Sequence, residues 1–529
     1  MLTTLTAPAF AGTWYIEDGD ITISAGESGN NVTQNENTTE NDPDTIITNR
    51  EEGASSHTVT IDAKDEDDKV EVTLKDVNID ASSRSEAAVS VTGKGDTTIE
   101  LDGDNELQGG DRHAGLEHNQ TVDSEGNVTS GKLTIQDDND NAGSLTATGG
   151  YFGAGIGGGS AKAGQVTITG GTITAISGDG AGIGGGQGNM GSNAGNADIE
   201  ISGGTIEATG GYTSAGIGGG YYGDATIKIT GDAVIKNATG GTFGAGIGGG
   251  GGGNGDVTIS GNAKIENAQG GYAGSGIGGG YGASGTVAIK DDSTVTATGG
   301  EVGAGIGGGV GGLADITIEG NATVNATGGE SSIDEESGEK IPGGAGIGSG
   351  AGDAKANITL EGKVTIVAKA GEGNAAIGDM NGEQVFTGLD GSITRYDSEG
   401  NDTTLPTDPG HPVPVPASPS SSGGGSADAS VQESVFPGLV VTDKDGQRIS
   451  YTSIRGNNVL SLRVGRFTAS LHASLSTLRQ LRAEGIDTIT FQTILCSTTL
   501  SVDELLAMGG EDAEAVLTHR FTASSLTVG

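Results

Sequence analysis

The chain has 529 residues, 103 of them glycine and only 10 proline, with no Gly-X-Y triplet, which excludes collagen. Its net charge is −44, and from Val435 onward the charge is −1, so −43 falls on the preceding segment; such a surface repels nucleic acid and anionic membranes. No apolar run is long enough to span a bilayer, so no membrane insertion is expected, and the single cysteine, Cys496, excludes an intramolecular disulfide and a cysteine-based zinc cluster.

Residues 1–11 end in Ala9-Phe10-Ala11, a signal-peptidase type of pattern, and read as the remnant of a signal peptide. The expected location is therefore extracellular, secreted or on the cell surface. A β-rich region is expected over 12–400. Its first strands are Val59-Thr60-Ile61 and Val70-Glu71-Val72-Thr73-Leu74, where apolar and polar residues alternate. Two dense oxygen clusters, Asp65, Asp67 and Asp68, then Asp137, Asp138 and Asp140, are hard ligands of the kind that suits Ca²⁺, the one cofactor the sequence suggests. A solvated acidic loop is the simpler reading of either cluster. Arg112, His113, Glu117 and His118 form the only knot of the array rich in both acids and bases.

From Ile156 the chain repeats. Versions of Gly-Ile-Gly-Gly-Gly are centred on Ile156, Ile183, Ile217, Ile247, Ile277, Ile306, Ile347 and Ile377, spaced by 27, 34, 30, 30, 29, 41 and 30 residues. Between copies lie two short alternating segments, such as Ala225-Thr226-Ile227-Lys228-Ile229 and Val234-Ile235-Lys236-Asn237-Ala238, joined by a turn pair, Gly231-Asp232. A near-constant period is the mark of a stacked fold. Equivalent strands of successive coils would pair in parallel, with one inward isoleucine per coil about 4.8 Å from the next. The fold class is all-β: a parallel β-helix solenoid, expected to be right-handed, with coils of about 30 residues. Ala87-Ala88-Val89 and Ala114-Gly115-Leu116 occupy the motif's slot in weaker form, and the wide gap before Ile347 holds an inserted loop, 331–340. A dinucleotide site is excluded, because no helix follows the glycines and eight copies would be redundant.

Aromatic residues recur beside the motif. Phe152, Tyr212, Phe243 and Tyr272 precede their isoleucines by four or five residues, and Tyr221 and Tyr281 follow theirs by four. Each set would form a column. Tyr212, Tyr221, Phe243, Tyr272 and Tyr281 are the candidate ligand-binding residues, their faces suited to stacking on sugar rings; packing at a corner of the coil is the alternative use.

A Pro/Gly/Ser-rich linker spans 401–434. Residues 435–529 read as a small α/β or α+β domain. Its strands are expected near Leu439, Val459 and Thr488, with a helix over Thr468 to Ala483 and a short helix over Val502 to Met508 capped by Ser501.

The unit Ala-Gly-Ile-Gly-Gly-Gly followed by Val-Thr-Ile-Thr-Gly-Gly-Thr-Ile-Thr-Ala resembles the Gly-rich repeats of secreted β-helix proteins of gut-type Gram-positive bacteria, over roughly residues 85–380. That resemblance implies a carbohydrate-binding or surface protein. The leading expectation is a non-enzymatic protein that binds carbohydrate or mediates adhesion, its partner a glycan or a host or bacterial surface component. Two alternatives stand beside it. One is a polysaccharide lyase or glycoside hydrolase, for which the array offers only Arg50, Arg84, Arg112 and Arg395 as arginine bases; the other is a passive stalk presenting the C-terminal domain.

Overall fold

The computed structural model describes residues 12–410, except 140, 189–194, 334–339, 353 and 387–388, and residues 439–528, except 445, 450, 457, 465–467, 484, 494–496, 509–512 and 521–522. The Ala9-Phe10-Ala11 pattern and most of the expected linker lie outside the described residues. The chain forms two compact units, divided at Pro412.

The first unit is a parallel β-solenoid of about 14 turns. Each turn contributes to three stacks of strands. One runs through Ala197–Ile201, Ala225–Ile229, Gly255–Ile259 and Gly285–Ile289; a second runs through Thr205–Thr209, Val234–Thr239, Lys264–Gln269 and Thr294–Thr298. All of these pairs are parallel. The turn pairs are thus corners, not hairpins. Corner residues Gly231, Gly261 and Gly320 have φ of +62°, +72° and +80°, and Asp291 takes the equivalent place at +59°. Near the start of the solenoid a single strand, Asp96–Gln108, turns the corner and pairs in both stacks.

The third stack is built from the Gly-Ile-Gly-Gly-Gly segments. Ile156, Ile183, Ile217, Ile247, Ile277, Ile306, Ile347 and Ile377 pair in direct register, and all are fully buried. Upstream the stack continues through Leu116, Val89 and Val59, so the weaker copies are true coils. Alternating burial in the other stacks adds Ile227, Ile229 and Ile235 to one continuous core. Each such side chain contributes roughly 1.5–3 kcal/mol, and each coil buries its few against two neighbours.

Both ends are closed. At the N-terminal end an antiparallel meander, Ile21–Ala25, Asn30–Gln34 and Asn37–Asp42, extends the motif stack beyond its first parallel strand. At the other end residues 401–410, which the sequence assigned to the linker, fold onto the last coil. Arg395 is fully buried there, its Nε 2.7 Å and its Nη2 3.0 Å from the Asp408 carboxylate. The acidic insertion begins and ends as an antiparallel ladder, Ser331–Ile333 with Lys340–Pro342.

Among its described residues the second unit has two four-stranded sheets and two helices around its own core. Strands Leu439–Thr442, Val459–Arg463 and Thr488–Gln492 lie where expected, as does the helix Val502–Met508, whose Glu504 N–H donates to Ser501 Oγ. The expected helix over 468–483 needs correction. Thr468–Ser474 is a strand and only Leu475–Ala483 is helical. Ala469, Leu471 and Ala473 face inward with a period of two, and the helical spacing starts at Leu475.

Candidate functional site

A loop precedes each Gly-Ile-Gly-Gly-Gly segment and another follows it. The following loop of one coil hydrogen-bonds to the preceding loop of the coil before. Gly251 N–H donates to the Thr213 carbonyl (2.7 Å), Tyr281 N–H to Phe243 (2.8 Å) and Val310 N–H to Ala273 (3.1 Å). The two loops therefore meet over the motif and bury its glycines, and the two aromatic sets interleave instead of forming separate columns. Phe243 lies between Tyr212 (ring centroids 5.8 Å, edge to face) and Tyr281 (5.4 Å, tilted). Tyr212 is 60 % exposed, Tyr281 51 % and Tyr272 36 %, whereas Phe243 is half-buried and packs against the small apolar cluster that Ala273, Val302 and Ala351 form. Tyr212, Phe243 and Tyr281 thus form a stair across three coils, with a buried middle ring and two exposed outer ones.

Tyr221 is not part of this stair. Its ring lies 4.2 Å from that of Tyr222, and their hydrogen bond holds the Tyr221 hydroxyl above its ordinary pKa. The sequence reading passed over Tyr222, although the doublet was visible. Its backbone is left-handed, and its ring occupies space that a side chain at Gly252 would fill.

The same interlocking of loops builds a cleft of about 530 Å³ nearer the N-terminal end, lined by Arg112, His113, Glu117, Asn119, Phe152, Lys162 and Gln187. Ser160 N–H donates to the Arg112 carbonyl (2.7 Å), and Gln187 N–H donates to that of Phe152 (2.9 Å). Glu117 is buried. One of its oxygens accepts from Ala114 N–H (3.1 Å) and from His113 Nδ1 (2.8 Å), the other from Asn119 Nδ2 (2.8 Å). Gly159 follows from this, since a Cβ there would meet the Glu117 carboxylate at 2.8 Å. A carboxylate only accepts, so His113 carries its proton on Nδ1 and leaves Nε2 as the ring's second polar atom. His118 is no partner of His113. It is buried with Nδ1 2.8 Å from the Gln165 carbonyl, and burial pushes its pKa below the ordinary value. The Arg112 guanidinium lies 5.7 Å from the Phe152 ring centre. The sequence pointed to the knot at 112–118; Asn119, Phe152 and Lys162 join it only through the interlock.

A larger depression, about 680 Å³, is lined mainly by acidic and amide side chains, among them Glu51, Glu52, Asp76, Asp104 and Glu106. The proposed Ca²⁺ residues do not converge. Asp68 turns back to accept from Asp65 N–H (2.9 Å), and the Asp138 and Asn139 N–H groups both donate to Glu100. Asp137 has one oxygen buried without a hydrogen-bond partner, and Asp140 lies outside the described residues. Among the described residues no three His, Cys, Asp or Glu side chains are placed to hold a metal ion, and no helix is long and apolar enough to cross a membrane.

No curated protein and no solved structure matches the chain. Residues 141–160, 166–187, 199–221 and 287–310 match the family model of the beta helix repeat. The first three segments fall on successive turns of the parallel solenoid just described and the fourth on a turn further along, so the family match and the fold agree on a parallel β-helix of repeated coils.

Proposed function

We propose that the protein binds an extended glycan along its edge of interlocked loops, without catalysis, and that it does so outside the cell as a secreted or surface-displayed protein. The stair of Tyr212, Phe243 and Tyr281 carries this reading. Exposed rings on a rigid scaffold are costly to leave in water and suited to stacking on the apolar faces of sugars. Their coil spacing, about 4.8 Å, is close to the size of one pyranose ring, so a linear chain along the axis meets a ring at successive steps. Beyond its own packing, the half-buried Phe243 sets the angle of its two neighbours.

A glycan array probed with the full chain, with and without Ca²⁺, tests the reading. Tyr212→Ala and Tyr281→Ala should each weaken binding about 3- to 10-fold, the worth of one stacked ring, with unchanged circular dichroism. Binding to no glycan, or full binding by the double variant, would refute it. A second reading is favoured by one observation, the imidazole of His113 held by buried Glu117 within a cleft. That pair could act as a general base in polysaccharide cleavage. Release of reducing ends, abolished in His113→Ala, would establish it.

A further inference from the structure

The cleft at Arg112 differs from the rest of the solenoid in charge. The segment before Val435 carries −43, yet this cleft presents Arg112 and Lys162 with only one carboxylate in its lining, Glu117. That carboxylate is 8 % exposed and already accepts from His113, Asn119 and the Ala114 N–H, so its oxygens face protein donors. The other arginines of the solenoid are committed elsewhere. Arg50 is held by both oxygens of Asp18 at 2.9 Å, Arg84 by Asp20 and Glu86, and Arg395 by Asp408. Arg112 has only its chain neighbour Asp111, at 3.9 Å, and its side chain is 67 % exposed. Lys162 is exposed and makes no ion pair among the described residues. Phe152 adds an aromatic wall beside the guanidinium.

From this geometry we infer that the cleft is a subsite for an acidic sugar residue, whose carboxylate or sulfate ester is held by Arg112 and Lys162 while its ring lies against Phe152. Arg offers a planar fork that fits such an oxyanion, and Lys a mobile point charge. The cleft's size suits one or two sugar rings. It sits on the same edge as the aromatic stair, since Phe152 occupies the loop position that Phe243 occupies in a later coil, one place after that of Tyr212. The loop of Phe152 and that of Tyr212 belong to the coils of Ile156 and Ile217, two steps apart and so about 10 Å along the axis. One oligosaccharide can reach both. The inference rests on the glycan reading, but its site does not overlap the stair, so the two can fail separately.

Calorimetric titration of the full chain with oligogalacturonate, a sulfated oligosaccharide, a neutral oligogalactose and inorganic phosphate separates the possibilities. An acidic oligosaccharide, carboxylated or sulfated, should bind at least tenfold more tightly than the neutral one, and less tightly as salt rises. Arg112→Gln with Lys162→Gln should abolish that preference while leaving the neutral sugar's affinity unchanged, and Arg112→Lys should restore part of it. Tyr212→Ala should weaken acidic and neutral sugars alike. Equal affinity for acidic and neutral sugars, an acidic preference that survives the double substitution, or phosphate binding as tightly as the sugars would each overturn the inference.

Discussion

The glycine after each motif isoleucine is where a single residue matters most. Gly248 has φ of +141°, and a Cβ on it would lie 1.9 Å from the Gly278 carbonyl of the next coil. Backbone strain and a backbone clash therefore coincide, and neither can be relieved by moving a flexible side chain. Gly248→Ala should cost more than about 2 kcal/mol, read as a lowered thermal midpoint; a neutral result would show that the coils can separate freely at this face. A titrating residue acts at the same scale in the C-terminal unit. His519 is fully buried, its ring nitrogens 3.1 and 3.0 Å from the Thr493 and Thr498 hydroxyls. Burial lowers its pKa below the ordinary 6.5. The unfolded chain then binds the proton first, so this contribution is complete above about pH 6.5 and is lost as pH falls toward the folded value. Amide protection factors in the 439–528 segment should fall as pH drops below about 6.5, more steeply in the wild type than in His519→Gln. Parallel pH profiles would remove His519 as the cause.

Elements of this protein differ in how much of them the sequence shows. A strand of the solenoid announces itself through period-two alternation, and the coil through recurrence of the same isoleucine. Thr468–Ser474 was hidden because Leu471, Leu475 and Leu478 satisfy a helical spacing across a boundary where a strand hands over to a helix. The aromatic positions were legible, but their contacts were not, since these depend on one coil's following loop resting on the preceding loop of its neighbour. The terminal cap was missed for a related reason. Nothing in the sequence near 395 shows that Arg395 will be fully buried against Asp408 and donate further bonds to Glu383 and the Gln384 carbonyl. Removing one partner of a buried, hydrogen-bonded pair leaves the other charge stranded, at about 3–5 kcal/mol. Asp408→Ala should therefore open the last coils, while Arg395→Met combined with Asp408→Leu should be milder. Amide exchange mapped by peptide should show the loss concentrated beyond Ile347 and nearly absent around Ile217. Uniform loss along the solenoid would contradict the idea of a local cap.

At the scale of the whole molecule, stability is close to a sum over coils and their interfaces, because each coil touches only its two neighbours. Ile217 and Ile247 are equivalent residues in register, 30 positions apart. Deleting 217–246 therefore joins Gly216 to Ile247 and presents Ile247 to Ile183 with no change of face. The same holds in the first stack, where Val257 would replace Ile227 opposite Ile199. In the second stack the five-residue strand Thr205–Thr209 would meet the six-residue Lys264–Gln269, a mismatch the intact protein already absorbs beside Thr294–Thr298. The shortened protein should keep the β-sheet signature per residue and a cooperative thermal transition. Removing only 217–231 takes away part of a turn, shifts every inward side chain off its ladder and should prevent folding. The longer deletion also removes Phe243, Tyr221 and Tyr222 and brings the loop of Tyr212 under that of Tyr281. Glycan affinity should then fall by about the worth of one stacked ring, roughly 3- to 10-fold, whereas the acidic preference supplied by Arg112 and Lys162 should persist. If the whole-coil deletion destabilises the protein as much as the part-coil one, the coils do not act as independent units. If the acidic preference vanishes with it, the cleft and the stair are one coupled site.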